Sequence, residues 1–136
     1  MRPVVLDTNA YVAFKRGDTD ILAILRAAER IWLPTVVLGE LLAGFAAGNR
    51  EATNREELAR FLQSHRVGTL PVGDTTADHY ALVFASLRAK GRPIPSNDLW
   101  IAACTLEHGA ALLTLDAHFS EVDGLRVGRK LGDFLP

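Results

Sequence analysis

Short apolar runs alternate with longer amphipathic segments along the chain, and this alternation constrains the fold more than any other feature. The apolar runs predict strands at 3–6, 31–33 and 110–114, and two short segments, 68–70 and 126–128, are further strand candidates. Helical spacing of apolar residues predicts helices between them, at 20–30, 34–47, 49–65, 74–90 and 97–108. Ser96 is the predicted N-cap of the last helix, and Gly109 its stop. Strands that alternate with helices pair in parallel through right-handed crossovers, so the predicted class is α/β with a small central sheet.

Length and cysteine content indicate one ordinary globular domain. The chain has 136 residues, of which 49% are hydrophobic, and this is enough to fill a core of its own. It contains no repeat, low-complexity stretch or linker, so a single domain over 1–136 is expected. Cys104 is the only cysteine and lies in an apolar stretch, which predicts a buried thiol and excludes a disulfide-stapled scaffold.

Charge and hydropathy narrow the classes of function further. The 15 basic residues nearly balance the 16 acidic ones, which argues against a surface that coats nucleic acid without specificity. A nuclease is still compatible, because it needs only a local basic rim. No segment approaches the roughly 20 apolar residues that span a bilayer, and the run before Asp7 is too short for a signal peptide. We therefore expect a soluble cytoplasmic protein.

Eight acids have no lysine or arginine within four residues, and four of them are candidates for chemistry: Asp7, Glu40, Asp98 and Asp116. The others are Asp74 and Asp78 at a predicted helix start, Glu121 in a polar loop, and Glu107. Asp7 and Asp116 follow predicted strands, at the edge where open α/β sheets place their functional crevice. Glu40 has only apolar or small neighbours three and four residues away, and an unpaired buried carboxylate is strongly unfavourable. Each acid alone has an ordinary explanation: an exposed helical position for Glu40, the helix dipole for Asp98, a turn for the others.

Taken together, the four acids predict a metal site. Clustered carboxylates raise one another's pKa unless a cation neutralises them, and oxygen ligands suit Mg²⁺ or Mn²⁺. Such a site would support phosphodiester hydrolysis. Histidine and cysteine spacing indicates no zinc site, and the four histidines are predicted at surface or supporting positions: His65, His79, His108 and His118. Glu107, nine residues after Asp98, falls on the opposite face of that helix and receives no role.

Four motifs, in order over about 7–119, resemble those of PIN-domain nucleases. They are LDTN at 6–9, VLGEL around Glu40, PIPSNDLWIAA at 93–103 and LTLDAHF at 113–119. The third is the most specific stretch. The total length is typical of the VapC-type toxins of toxin–antitoxin pairs.

This resemblance implies a PIN-like three-layer fold and a Mg²⁺- or Mn²⁺-dependent endoribonuclease. The implied metal-binding and catalytic residues are Asp7, Glu40, Asp98 and Asp116. The implied supporting residues, which hydrogen-bond to the ligands or to the attacking water, are Thr8, Asn9, Asn97 and Thr114. Relatives form homodimers and are inhibited by a VapB-type antitoxin whose tail lies across the groove, so both partners are expected here.

Basic residues close to the first and third motifs are candidates for binding RNA phosphates: Lys15, Arg16, Arg88, Lys90 and Arg92. Phosphate contacts would fix the position of the strand without reading its sequence. Each of these residues also has the ordinary explanation of a solvated helix end.

Two other functions remain open from the sequence. One is a PIN nuclease that processes RNA without an antitoxin. The other is a receiver-like signalling module that binds Mg²⁺ and cuts nothing. That module needs an acidic pair after the first strand and a late lysine, whereas Asp7 is followed by Thr8 and Asn9, and no lysine closely follows the fourth strand. A phosphatase with an aspartate nucleophile would need a second aspartate where Asn9 stands.

Overall fold

A single parallel sheet forms the centre of the protein. The computed structural model describes residues 1–135, so Pro136, the last residue of the expected 1–136 domain, lies outside the described part. The strands are β1 (Val4–Leu6), β2 (Ile31–Pro34), β3 (Val67–Leu70), β4 (Ala111–Leu113) and β5 (Val127–Gly128). They lie in the order β3-β2-β1-β4-β5, and every neighbouring pair is parallel.

Six α-helices flank this sheet within residues 1–135, which confirms the predicted fold class. They are α1 (Thr8–Lys15), α2 (Thr19–Ala27), α3 (Thr35–Ala47), α4 (Glu51–Leu62), α5 (Asp74–Lys90) and α6 (Ser96–Glu107). Short 3₁₀ helices follow at Ala117–Glu121 and Leu131–Asp133. None of the helices in the described part is both long and apolar enough to cross a bilayer.

The strand order creates the crevice in which the site lies. From β1 the chain adds β2 and β3 on one side, and it then returns to place β4 and β5 on the other side of β1. Such a reversal opens a crevice at the carboxyl ends of the two strands that flank it, here β1 and β4. All six residues of β1 and β4 are buried, so this edge is rigidly held. Asp7 directly follows β1, and Asp116 lies three residues beyond the end of β4.

The elements differ from the predictions at several places, as in α4, which spans Glu51–Leu62 and not 49–65. Helix α1 was not predicted, because no element was assigned between the first strand and residue 20. The Asp7 side chain caps this helix by accepting a hydrogen bond from the Ala10 N–H. Ser96 is the first residue of α6 and not its N-cap, a position taken by Pro95. Helix α2 ends at Ala27, because the backbone of the next residue is extended.

Cys104 and Glu107, which belong to no predicted site, have structural roles. Cys104 is fully buried, as predicted, and burial raises the pKa of its thiol to about 11. Glu107 lies on α6 and accepts a hydrogen bond of 2.5 Å from the Thr76 hydroxyl of α5, a side chain with no exposed surface. This contact gives Glu107 a role in joining the two helices, which sequence spacing alone did not reveal.

Candidate active site

The four predicted acids meet at the carboxyl edge of β1 and β4. A cavity of about 100 Å³ is lined by Asp7, Thr8, Asn9, Glu40, Asp98, Ile101 and Asp116. Four elements supply the acids: the end of β1, the middle of α3, the first turn of α6 and the segment after β4. The cavity has room for a hydrated ion and is too small for an organic cofactor of ordinary size.

Asp7 is the most buried of these acids, with 5% of its surface exposed. Its Oδ1 accepts the Ala10 N–H at 2.9 Å and its Oδ2 accepts the Thr114 hydroxyl at 2.5 Å. The pKa of Asp7 is raised to about 6, chiefly by burial; the charges of Asp98 and Asp116 add to this shift, and the two hydrogen bonds oppose it. Asp7 is therefore a buried carboxylate held in one orientation and facing other negative charges.

Glu40 is held in place by two of the predicted supporting residues. The Thr8 hydroxyl donates to its Oε1 at 2.5 Å, and the Asn97 amide donates to its Oε2 at 3.2 Å. Thr8 begins α1 and Asn97 lies in the first turn of α6, so helices on both sides fix this carboxylate of α3. The geometry places Glu40 inside the acidic cavity and not on an exposed stripe of the helix.

Asp98 and Asp116 share a partner that was not among the predicted site residues. Asp98 Oδ2 lies 2.8 Å from His118 Nε2, and Asp116 Oδ1 lies 3.2 Å from His118 Nδ1. Burial raises the pKa of the Asp98 carboxyl, as do Asp116 and Glu40, whereas the contact with His118 opposes the shift. Asp116 also donates its backbone N–H to the Thr114 hydroxyl, which links it to Asp7.

The donor set of the cavity fits a hard divalent cation. Four carboxylates line it, and no lysine or arginine does so among the residues that the structure describes. Burial is the main cause of the raised pKa of Asp7 and Asp98, and repulsion between the carboxylates adds to it. A divalent ion bound by oxygen ligands would remove that repulsion. Asp98, Asp116 and His118 each offer one ligand atom, and these atoms lie within 4.8 Å of one another.

A larger groove opens beside the acids and carries positive charge. It has a volume of about 550 Å³ and shares Thr8 and Glu40 with the acidic cavity. Its wall includes Lys15, Arg16 and Arg50, supplied by α1 and by the residue before α4. The Lys15 ammonium pairs with Glu57 at 3.0 Å in the same groove.

The other three predicted basic residues lie elsewhere. Arg88 lines a separate cavity of about 200 Å³ that is mostly apolar. The Lys90 ammonium lies 2.5 Å from Asp123 Oδ1 and donates to the Glu121 carbonyl at 2.8 Å. Arg92 is exposed in the segment before α6. Among the described residues that line the acidic cavity and the large groove, none of these three appears.

Sequence reasoning missed two residues beside the site, His118 and Arg50. His118 follows Asp116 by two residues, and the 3₁₀ helix Ala117–Glu121 directs its side chain back toward Asp116 and Asp98. Arg50 is distant in sequence from every motif and reaches the groove only because α3 and α4 pack together. The signal for His118 was its position inside the last motif; Arg50 gave none.

Comparison with known proteins agrees with this geometry. The family model described as the PIN domain matches residues 4–125. Ribonuclease VapC5 of Mycobacterium tuberculosis is 32% identical over 120 residues, which cover 88% of this chain and 87% of that protein.

Two solved structures share the fold over nearly the whole chain. One is VapBC-5 of Mycobacterium tuberculosis, described as a member of the VapBC family of toxin–antitoxin systems. It superposes with a TM-score of 0.72 and 29% identity, covering 94% of this chain and 97% of that one. The other is DNA-bound VapBC of Salmonella typhimurium, with a TM-score of 0.83 and 24% identity, covering 94% and 98%. With the sequence matched from β1 to residue 125 and the acids gathered at the expected edge of the sheet, the chain belongs to the PIN domain family.

Proposed function

We propose that this protein is a metal-dependent endoribonuclease and the toxin of a type II toxin–antitoxin pair. One observation carries the proposal: four carboxylates converge in a cavity whose described lining contains no basic side chain. Membership of the PIN domain family and the relative named ribonuclease VapC5 support hydrolysis of RNA.

Asp7, Glu40, Asp98 and Asp116 are the residues that would hold Mg²⁺ or Mn²⁺. Bound there, the ion would supply an activated water and neutralise charge on the phosphodiester. The protein's own contribution is orientation. Thr114 fixes Asp7, whereas Thr8 and Asn97 fix Glu40. Asn9 lines the same cavity, and its proposed role is to contact the attacking water or the phosphate.

The RNA strand is proposed to follow the large groove beside the cavity. Lys15, Arg16 and Arg50 would bind phosphates there and position the strand without reading bases. Arg88 and Arg92 remain predicted phosphate ligands. Lys90 also remains one, although RNA would have to displace Asp123 from its ammonium.

The proposal includes partners and a location. Solved relatives are described as VapBC toxin–antitoxin complexes, so an antitoxin of the VapB type is the proposed inhibitor. A homodimer, a cytoplasmic location and a single domain over 1–136 complete the proposal. Sedimentation analysis would check the dimer, and one cooperative unfolding transition would support the single domain.

Cleavage of a total-RNA pool by the purified protein tests the activity. We expect discrete fragments with Mg²⁺ or Mn²⁺, none with EDTA, and none from Asp98→Asn under any of these conditions. Mapping the fragment ends would identify the RNA target. Absence of cleavage by folded, antitoxin-free protein with either metal would contradict the proposal and favour a metal-binding module that does not cut.

The second candidate, an RNA-processing nuclease without an antitoxin, keeps the same site. It is favoured if no small gene for a VapB-type protein neighbours the gene of this chain. Co-expression with such a neighbour, followed by loss of cleavage, would instead support the toxin–antitoxin pair.

A further inference from the structure

We propose that His118 is a metal ligand, and that with Asp98 and Asp116 it forms a mixed nitrogen–oxygen site that prefers Mn²⁺ to Mg²⁺. This inference rests on the proposed metal-dependent function and adds to it the chemical class of the ion. It concerns a histidine outside the four acids implied by the family motifs.

His118 lies close to both aspartates, but through different ring nitrogens, of which a single ion can take only one. Its Nε2 lies 2.8 Å from Asp98 Oδ2, and its Nδ1 lies 3.2 Å from Asp116 Oδ1. Adjacent ligands of an octahedral ion with bonds of about 2.1 Å are separated by about 3 Å. One atom from each of the three side chains lies within 4.8 Å of the others. Small side-chain rotations therefore bring a nitrogen and two oxygens onto a single cation.

The backbone around His118 keeps the imidazole at this position. Asp116 precedes the 3₁₀ helix Ala117–Glu121, whose tight turn returns His118 toward α6. The next residue, Phe119, has no exposed surface, and its ring centroid lies 5.0 Å from that of His118. The buried phenyl ring thus anchors the turn that carries the imidazole, which remains about one-third exposed.

An imidazole ligand changes which metal ion the site prefers. Mg²⁺ is a hard ion that takes oxygen ligands and retains its waters, whereas imidazole suits first-row transition metals. An oxygen-only site at Asp7 and Glu40, combined with a nitrogen donor at His118, is expected to bind Mn²⁺ more tightly than Mg²⁺. Removal of the imidazole should leave Mg²⁺ affinity nearly unchanged and weaken Mn²⁺ binding.

Pulsed electron paramagnetic resonance of Mn²⁺ bound to the whole protein tests the ligand directly. Electron spin-echo modulation from ¹⁴N is expected in the wild type, with a change to the ¹⁵N pattern when histidine is labelled with ¹⁵N. The modulation should vanish in His118→Gln and persist in the control His79→Gln. His79 is a suitable control because it lies on α5, where its Nδ1 contacts only the Thr75 carbonyl of its own helix.

Calorimetric titration gives a second, independent measurement. The ratio of the Mg²⁺ to the Mn²⁺ dissociation constant should fall about tenfold in His118→Gln, as expected for the loss of one ligand or its orienting partner. Mn²⁺ bound by the wild type without ¹⁴N modulation would overturn the inference, and would leave His118 as a hydrogen-bonding partner of the two aspartates. An unchanged ratio in the variant would overturn it as well.

The two proposals can fail separately. RNA cleavage with Mn²⁺ but without nitrogen coupling would contradict the role of His118 and leave the nuclease intact. Nitrogen coupling without RNA cleavage would contradict the nuclease and leave the metal site intact.

Discussion

At the scale of single residues, the site places negative charge where exposure to solvent is low. Asp7 shows this most clearly, because it is buried behind β1 and hydrogen-bonded on both oxygens. Its carboxylate must remain ionised to bind a cation, although burial and two neighbouring aspartates favour the protonated form. Without metal, the ionised site therefore destabilises the fold that contains it.

The pH dependence of the metal-free protein should reveal this conflict. The pKa of Asp7 is raised from 3.8 to about 6 in the folded state, so its contribution to stability is most favourable below pH 4, where Asp7 is protonated in both states. The associated stability is lost as pH rises through about 6. At 1.36 kcal/mol per pKa unit, the loss amounts to about 3 kcal/mol.

Urea denaturation in EDTA at pH 4.5 and 7.5 measures this loss. Between pH 4.5 and pH 7.5 the free energy of unfolding should decrease by about 2 kcal/mol less in Asp7→Asn than in the wild type. The difference is below about 3 kcal/mol because part of the titration already lies below pH 4.5. Mn²⁺ should stabilise the wild type at pH 7.5 and leave the variant unchanged. The same decrease in both proteins would show that Asp7 titrates normally.

Orientation of Glu40 gives a second prediction at this scale. Thr8→Val keeps the shape of the side chain and removes the hydroxyl that donates to Glu40 at 2.5 Å. Loss of such an orienting contact typically lowers metal affinity or activity about 10- to 100-fold. RNA cleavage at a fixed Mn²⁺ concentration measures the effect.

Thr69→Val is the matched control, because Thr69 is exposed on β3 and should tolerate valine without loss of activity. Cleavage by Thr8→Val at the wild-type rate would mean that Glu40 is oriented without the hydrogen bond from Thr8.

The sequence revealed the four acids for a physical reason that did not extend to His118. Asp7, Glu40, Asp98 and Asp116 lack local bases, and this absence is visible from neighbours in the chain. The role of His118 depends on a tight turn and on α6 reaching the same point in space, which involves residues 20 positions apart. Three-dimensional proximity of that kind leaves no periodic signal.

At the scale of elements, the two edge strands, β3 and β5, are not uninterrupted apolar runs and were only candidates. Apolar patterning located β1, β2 and β4, because short buried strands appear as such runs. It missed α1, whose buried Tyr11 and half-buried Phe14 pack on Phe61 of α4 in a contact between distant segments. Boundaries also shifted where a cap decides them, as at Pro95. Periodicity therefore predicts elements with a buried face. It fails where a cap determines the boundary, or where the element packs on a segment distant in sequence.

Gly68 tests how β2 and β3 fit together. A Cβ at this position would lie 2.5 Å from Trp32 Cζ3, in the ring that stacks on the Arg30 guanidinium. Gly68→Ala should therefore move the indole and lower the free energy of unfolding by about 1–3 kcal/mol, as overpacking typically does.

Gly39→Ala provides the comparison for this substitution. A Cβ there meets nothing within 4 Å, and alanine in a helix interior is favoured over glycine by up to about 1 kcal/mol. Urea denaturation of both variants at pH 7.5 measures the difference. Equal stability of the two variants would show that Trp32 adapts freely to the added methyl group.

At the scale of the whole molecule, the strand order brings the site together, and no local pattern predicts that order. Thr114 and Asp7 are 107 residues apart, yet they share a hydrogen bond because β4 pairs with β1. The sequence predicted a parallel sheet and a crevice at its carboxyl edge, but not which strands would be neighbours. The path of the basic groove could not be predicted either, because it depends on how α1, α3 and α4 pack together.

The groove makes a prediction about how RNA binds. Lys15 is already paired with Glu57, so Arg16 and Arg50 are the side chains of the groove expected to bind phosphates most strongly. Each single-stranded phosphate contact contributes about 0.7 to the slope of log affinity against log salt concentration. Removing both arginines should reduce the slope by about 1.4 and weaken binding at low salt.

Binding of a labelled single-stranded RNA to Asp98→Asn, which is expected to bind without cutting, measures that slope. Arg16→Ala with Arg50→Ala is compared with Arg26→Ala, a control at the end of α2 next to the amino end of β2. Lys90→Ala should reduce the slope less than the arginine pair does, because RNA must first displace Asp123 from its ammonium. The opposite pattern, with a reduced slope only for Lys90→Ala, would move the RNA to the other side of the acids and leave the large groove free for a protein partner.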